Sequence, residues 1–214
     1  LVDSFVYRNL SGLLTRENLQ FEEFKNLTRT HMDDMTEEQV GKMKRIREDV
    51  PPITRDTVVT KVMPYEYLEG LTSGTHSKIG SFIARQVDTG HLQNQNLKQT
   101  IETYALDYDK SLFVDALKRG EDRYLLFEGK LVTPNQSVIP YGEKFGGNVK
   151  DGLPCTLNGF IGCHSNDILP EFKDEIGQYP KKGSTITLIE NGERVKQWEF
   201  DDKENTFLIR ENKD

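Results

Sequence analysis

The chain has 214 residues, with 28 Lys and Arg against 35 Asp and Glu, a net charge of −7 and an isoelectric point near 5.3. That length suits one large domain or a domain with a helical preface, and the acidity weighs against a nonspecific grip on nucleic acid, which needs a basic stripe. Hydrophobic content of 35% and mean hydropathy of −0.64 are low, yet apolar periodicity recurs along the chain, which excludes disorder; no run reaches the length of a membrane span, and a soluble protein is expected.

Leu1 stands where a start Met would, and no signal-like apolar run follows it. The expectation is a piece excised from a longer polypeptide, with Glu204 to Asp214 as its natural carboxyl end. The first fifty residues read as helical. Leu19, Phe21, Phe24 and Leu27 recur at roughly helical spacing after Thr15, an expected N-cap. Thr36 and Gln39 form a capping box, after which Val40, Met43, Ile46 and Val50 share a face. The basic cluster Lys42, Lys44, Arg45 and Arg47, interleaved with acids, reads as the solvated side of that helix. Pro51-Pro52 stops it and marks the expected boundary between a helical preface or linker (1–52) and an α+β domain (53–214).

Next, Thr57 to Met63 has the β-branched character of a strand. A helix is expected from about Thr75 to Val87, with Ile79, Phe82, Ile83 and Val87 on one side, then helices beginning near Asn96 and running from Ser111 to Arg119, the last closed by Gly120. Tyr124 to Phe127 suits a central strand, Ser184 to Glu190 alternates, and Asn191-Gly192 signals a type I′ hairpin returning through Arg194 to Phe200. Thr206 to Ile209 reads as a last strand. Helices followed by a mainly antiparallel sheet make an α+β fold.

The candidate chemistry lies from Ile139 to Glu171, where glycines stand among aromatics and polar residues. Such loops admit close backbone approach to a ligand and can turn N–H groups toward anions. Glu171, between Pro170 and Phe172, sits where desolvation would raise its pKa, which suits acid, base or oxocarbenium-stabilising work. Glu199, in Gln197-Trp198-Glu199, is the second carboxylate. His164 is a possible partner of Glu171 or of a substrate; adjacent strand residues face opposite ways, which argues against a Cys163–His164 dyad. Arg85 and Arg123 are candidate anion contacts, and Tyr141 and Phe160 candidate ring-stacking groups. The two cysteines, Cys155 and Cys163, fit buried free thiols, a disulfide or, least well, a catalytic thiol; no metal cluster is legible.

Ile139-Pro140-Tyr141-Gly142, then Gly146-Gly147, then Pro154-x-Thr156-x-Asn158-Gly159-Phe160 and Pro170-Glu171-Phe172, resemble the carboxyl-terminal toxin modules of Gram-positive polymorphic toxins attached to LXG-type or phage-head-morphogenesis regions. The resemblance implies an effector of bacterial competition, secreted, acting in the cytosol of a target cell and neutralised in its producer by a cognate immunity protein. More distantly, the order of elements resembles ADP-ribosyltransferase exotoxins. That implies NAD as substrate, consumed by ADP-ribosyl transfer or hydrolysis. Tyr124 to Phe127 would be the first strand with Arg123 at its start, Gly159 to Cys163 would replace a Ser-Thr-Ser strand, and Glu171 or Glu199 would be the catalytic glutamate. Arg123 would contact phosphates, Tyr141 and Phe160 the ring, and Gly146, Gly147 and Asn158 the rest of the dinucleotide. The alternatives are a metal-independent RNase toxin with His164 and Glu171 as acid and base, and a non-enzymatic phage-assembly or interaction domain.

Overall fold

The computed structural model describes Phe5, residues 9–152 and residues 155–210. Leu1, Pro154 and the tail residues 211–214, on which expectations above fall, lie outside them. The helices that follow Phe5 among the described residues begin with α1 (Leu10–Glu17), α2 (Phe21–Thr28) and α3 (Glu37–Glu48). Thr15 does not cap the second helix. It lies within α1, which ends at Asn18 in the left-handed conformation (φ 52°), and α2 starts after Gln20 without a side-chain cap. The start of α3 is as the sequence predicts: Thr36 Oγ1 accepts from Gln39 N at 3.2 Å, and Gln39 Oε1 accepts from Thr36 N at 2.9 Å. Arg47 corrects the expectation of a solvated basic face. It lies four residues after Met43, on the same helical stripe as Val40 and Met43, and is 0% exposed.

Among the described residues, seven antiparallel strands form one sheet: β1 (Val59–Met63), β2 (Ile79–Arg85), β3 (Arg123–Gly129), β4 (Phe172–Gln178), β5 (Thr185–Glu190), β6 (Glu193–Asp201) and β7 (Thr206–Ile209), in the order β4-β2-β1-β3-β5-β6-β7. With the leading helices this is an α+β fold. β3 is central, and its alternation decides how the layers stack. Leu125 and Phe127 join the core shared with Phe24, Met43 and Ile46 of the first helices. Tyr124 and Leu126 point the other way, under Leu97 and Ile101 of α6 (Leu97–Tyr104) and Phe113 of α7 (Leu112–Lys118). Asn96 caps α6 with a capping box, and Ser111 caps α7. At the β5–β6 hairpin Asn191 and Gly192 both have positive φ (50° and 78°), as a type I′ turn requires.

The helix expected from Thr75 to Val87 is instead β2, preceded by the short helix α4 (Leu68–Ser73) and followed by α5 (Gln86–Thr89). The reason is a bulge: the β2–β4 register shifts between Ile79 and Ser81, and Ser81 adopts φ 59°. The two extra residues of the bulge belong to β4, between Asp174 and Gln178, while in β2 the left-handed Ser81 breaks strand alternation and leaves Ile79, Phe82 and Ile83 at a spacing that imitates a helix. Gly159 to Cys163 is not a sheet strand. Single bridges, Tyr141 to Asn158 and Phe160 to Pro170, hold that segment. No helix among the described residues is long and apolar enough to cross a membrane.

Candidate active site

β1 and β2 pair at only two positions, Val59 with Arg85 and Thr60 with Ala84. Beyond these the strands separate, and the space between them is a cleft of about 1210 Å³. One wall carries Lys61 and Met63 from β1, the other Ser81, Phe82 and Ile83 from β2, and Glu171 borders it just before β4 begins. Tyr67 (50% exposed) and Tyr108 (40% exposed) also line it, with His76 and Lys78 from the segment leading into β2. Half-exposed aromatic rings beside an apolar cleft offer stacking surface for a planar ligand.

Glu171 is partly buried and held by its backbone. Its N–H donates to the Gly159 carbonyl at 2.9 Å, and its own carbonyl accepts from Arg47 Nη2 at 2.6 Å. Burial pushes its carboxyl up to about 8, against the opposing pull of the Arg47 and Lys61 charges. Lys61 shows the complementary effect: burial lowers its ammonium to about 8, while Glu171 acts to raise it. Lys61 Nζ donates to the Phe82 carbonyl, so it spans the two walls. An acid and a cation that both titrate near neutrality on one cleft can exchange a proton or hold a developing charge.

Ser81 also faces this cleft, exposed and left-handed at the bulge, where Gly80 lies so near β4 that a Cβ would come within 2.7 Å of Gly177 Cα. Strain of this kind concentrates at sites. Cys155 borders the cleft as a free thiol that burial pushes up to about 12, which leaves little thiolate to attack anything. Cys163 is a second free thiol, buried, with its acidity also suppressed by burial.

Of the other expected site residues, Phe160 alone borders the cleft. Tyr141 is buried, stacked on Phe145 at 5.1 Å, and the Phe160 ring is entirely buried, edge-on to Phe24 at 5.6 Å. Gly146 ends a 3₁₀ turn at φ 81°, and a Cβ on Gly147 would collide with the Tyr141 carbonyl, 2.6 Å from its carbon. Gly146 thus serves the left-handed end of the turn and Gly147 close backbone packing. Asn158 is 0% exposed and ties the loop to α2: its Nδ2 donates to the carbonyls of Leu27, Thr28 and Thr30. Arg85 makes a buried bidentate pair with Asp88 at 2.8 and 3.0 Å. Arg123 covers the ring of Tyr65 at 3.8 Å and pairs with Glu121. Glu199 sits on β6 opposite Thr185 and Leu208, with Arg210 at 3.6 Å. His164 is exposed and pairs with Asp107 at 3.1 Å. None of Tyr141, Gly146, Gly147, Asn158, Arg123, Glu199 and His164 lines the cleft that Glu171 and Phe160 border.

Lys61, Tyr67, Ser81 and Tyr108 line the cleft although nothing in the sequence around them marks a site as the Ile139–Glu171 stretch does. The signal available was the lysine at the centre of a β-branched run, Val59-Thr60-Lys61-Val62, where a charge inside a strand asks for a partner. Comparison with protein-family models, curated proteins and solved structures finds no match to this chain.

Proposed function

We propose that the chain is an NAD-consuming toxin enzyme that breaks the bond between nicotinamide and ribose in the cleft between β1 and β2. The observation that carries this reading is Glu171 itself, a partly desolvated carboxylate beside Lys61 on a cleft of about 1210 Å³. That volume exceeds the roughly 300–1,000 Å³ usual for ligand sites and suits a dinucleotide. Tyr67 or Tyr108 would stack on a planar ring, and Lys61 and Lys78 would meet the diphosphate. The aromatic and cationic roles that the resemblance gives to Tyr141 and Arg123 thus pass to residues that line the cleft, and Phe160, which borders it with its ring entirely buried, leaves stacking to the exposed tyrosines.

In the reaction the C1′–N bond breaks and its electron pair stays on the ring nitrogen, which neutralises the pyridinium and releases nicotinamide. Ionised Glu171 stabilises the positive charge left on the ribosyl carbon. Water, or a hydroxyl or amine of a target, then adds to C1′ and gives up a proton to base. Hydrolysis and ADP-ribosyl transfer differ only in that nucleophile. Within the resemblance already drawn, the enzyme is secreted, acts in the cytosol of a competing bacterium, and is held inactive in its producer by an immunity protein.

The test is free nicotinamide released from NAD by the purified chain, with RNA integrity followed in parallel. Release is expected, lost at least a hundredfold in Glu171→Gln, and rising with pH through about 8 because the carboxylate form is needed. No release and no calorimetric binding of NAD overturn the proposal. RNA cleavage with NAD untouched overturns it in favour of a ribonuclease.

A further inference from the structure

Resting on that reading of the cleft, we propose that Arg47, on a helix outside the sheet, is the positioning residue for Glu171, fixing its backbone and supplying a cation against which its carboxyl ionises.

The geometry is specific. Arg47 Nε donates to the Gly159 carbonyl at 2.8 Å and Nη2 to the Glu171 carbonyl at 2.6 Å. The Glu171 N–H donates to that same Gly159 carbonyl, so one guanidinium and one peptide oxygen close a ring around the residue. The guanidinium lies 4.5 Å from the centre of the Phe172 ring, the first residue of β4. A Cβ on Gly159 would come within 2.8 Å of Arg47 Cγ, so glycine is what lets the arginine stem pass. Nη1 is buried without a hydrogen-bond partner among the described residues. Burying a cation in this way costs stability. Packing alone would be met at lower cost by Met or Leu at position 47, so the charge asks for an electrostatic role.

The charged groups around Glu171 come from four elements: Arg47 from α3, Lys61 from β1, Lys173 from β4 and Asp151 from the preceding loop. Arg47 is the largest of the opposing charges, and it is the one whose place is fixed by two bonds to the chain around Glu171. Removing it leaves the desolvation of the carboxyl less opposed. The helical layer therefore belongs to the site, because it delivers the guanidinium.

The experiment is a direct titration of the Glu171 side chain by carboxyl-carbon NMR of the full chain, its signal assigned by loss in Glu171→Gln. Arg47→Gln, which removes the charge, is expected to raise the midpoint by about one unit or more. Arg47→Lys, which keeps the charge and loses the paired geometry, is expected to hold the midpoint within about half a unit. It is also expected to lower kcat for nicotinamide release at least tenfold with KM within twofold. An unmoved midpoint in a folded Arg47→Gln protein overturns the proposal. If that variant does not fold, a shift above one unit in Arg47→Lys overturns it. The titration is readable whether or not NAD is consumed, so failure of the proposed reaction and failure of the Arg47 assignment give different results.

Discussion

Lys61 Nζ donates to the carbonyl oxygen of Phe82 at 3.0 Å, just where β1 and β2 have stopped pairing. The bond crosses the cleft, so the ammonium is either a strut that holds the walls or a group kept ready for a ligand. Burial disfavours its charged form, and the ammonium lines a cleft open to a ligand, which together favour the second role. Nor would its loss strand a bare carboxylate, since Glu171 holds its own proton up to about 8. Lys61→Met is therefore expected to stay within about 1 kcal/mol of the parent at pH 7, as relief of desolvation offsets one lost hydrogen bond. Its affinity for NAD should fall at least tenfold. Urea unfolding and calorimetric titration check both, and a destabilisation of about 3 kcal/mol would identify the strut instead.

The same two groups shape stability against pH in opposite senses. Glu171 has a folded pKa raised from 4.5 to about 8, so between those values the folded protein holds a proton that the unfolded chain has lost. Stability accordingly falls as pH rises from about 4.5 to 8. Lys61 has a folded pKa lowered from 10.5 to about 8, so the unfolded chain binds the extra proton between those values, and stability rises from about pH 8 to 10.5. Unfolding free energies of the parent and Glu171→Gln, measured from pH 4 to 9, should diverge in favour of the variant across the lower window. Parallel curves would show that Glu171 titrates normally.

Much of the frame was legible from local chemistry. The Thr36–Gln39 and Asn96 caps, the central Tyr124–Phe127 strand and the Asn191-Gly192 turn each depend on residues within a few positions of one another. Glu171 was legible for the same reason, since Pro170 and Phe172 flank it with apolar surface. What escaped depends on distant partners. Arg47 is buried because carbonyls at positions 159 and 171 receive it, and nothing in Lys44-Arg45-Ile46-Arg47 announces them. β2 escaped because the left-handed Ser81, set opposite a bulge in β4, replaces alternation with a helix-like spacing. The cleft is where β1 and β2 fail to pair, a property of two strands that neither carries alone.

The glycines between Ile139 and Glu171 offer a test of packing against ligand approach. A Cβ on Gly147 would overlap the Tyr141 carbonyl, where backbone would have to move, whereas a Cβ on Gly152 meets nothing within 4 Å. Gly147→Ala is expected to cost about 2 kcal/mol or more. Gly152→Ala should be neutral or stabilising by about 0.4–1 kcal/mol, through reduced freedom of the unfolded chain. Urea midpoints compare the two. If Gly147→Ala keeps full stability, the Tyr141 turn is looser than its contacts require.

Asn158 gives the sharpest case of a polar residue used for architecture. Its Nδ2 donates to three carbonyls at the end of α2, at 3.0, 3.3 and 2.9 Å, and its Oδ1 accepts from Thr156 Oγ1 and Phe160 N at 3.0 Å each. An amide is the one side chain of this size that presents donors to one side and an acceptor to the other. Asn158→Ala would leave buried carbonyls and an N–H unmet, at an expected cost of about 3 kcal/mol or more. Asn158→Asp is expected to be at least as damaging at pH 7, because a carboxylate would face carbonyl oxygens where a donor is needed. Lowering the pH should recover part of that loss, since a protonated Asp regains one donor. Thermal unfolding of both variants at pH 4.5 and 7 checks this. Equal losses for Asp at the two pH values would mean that the three carbonyls do not sense its charge, and that the loop is anchored to the helical layer chiefly through Met32 N, in the 3₁₀ turn after α2, which donates to the Thr156 carbonyl at 3.0 Å.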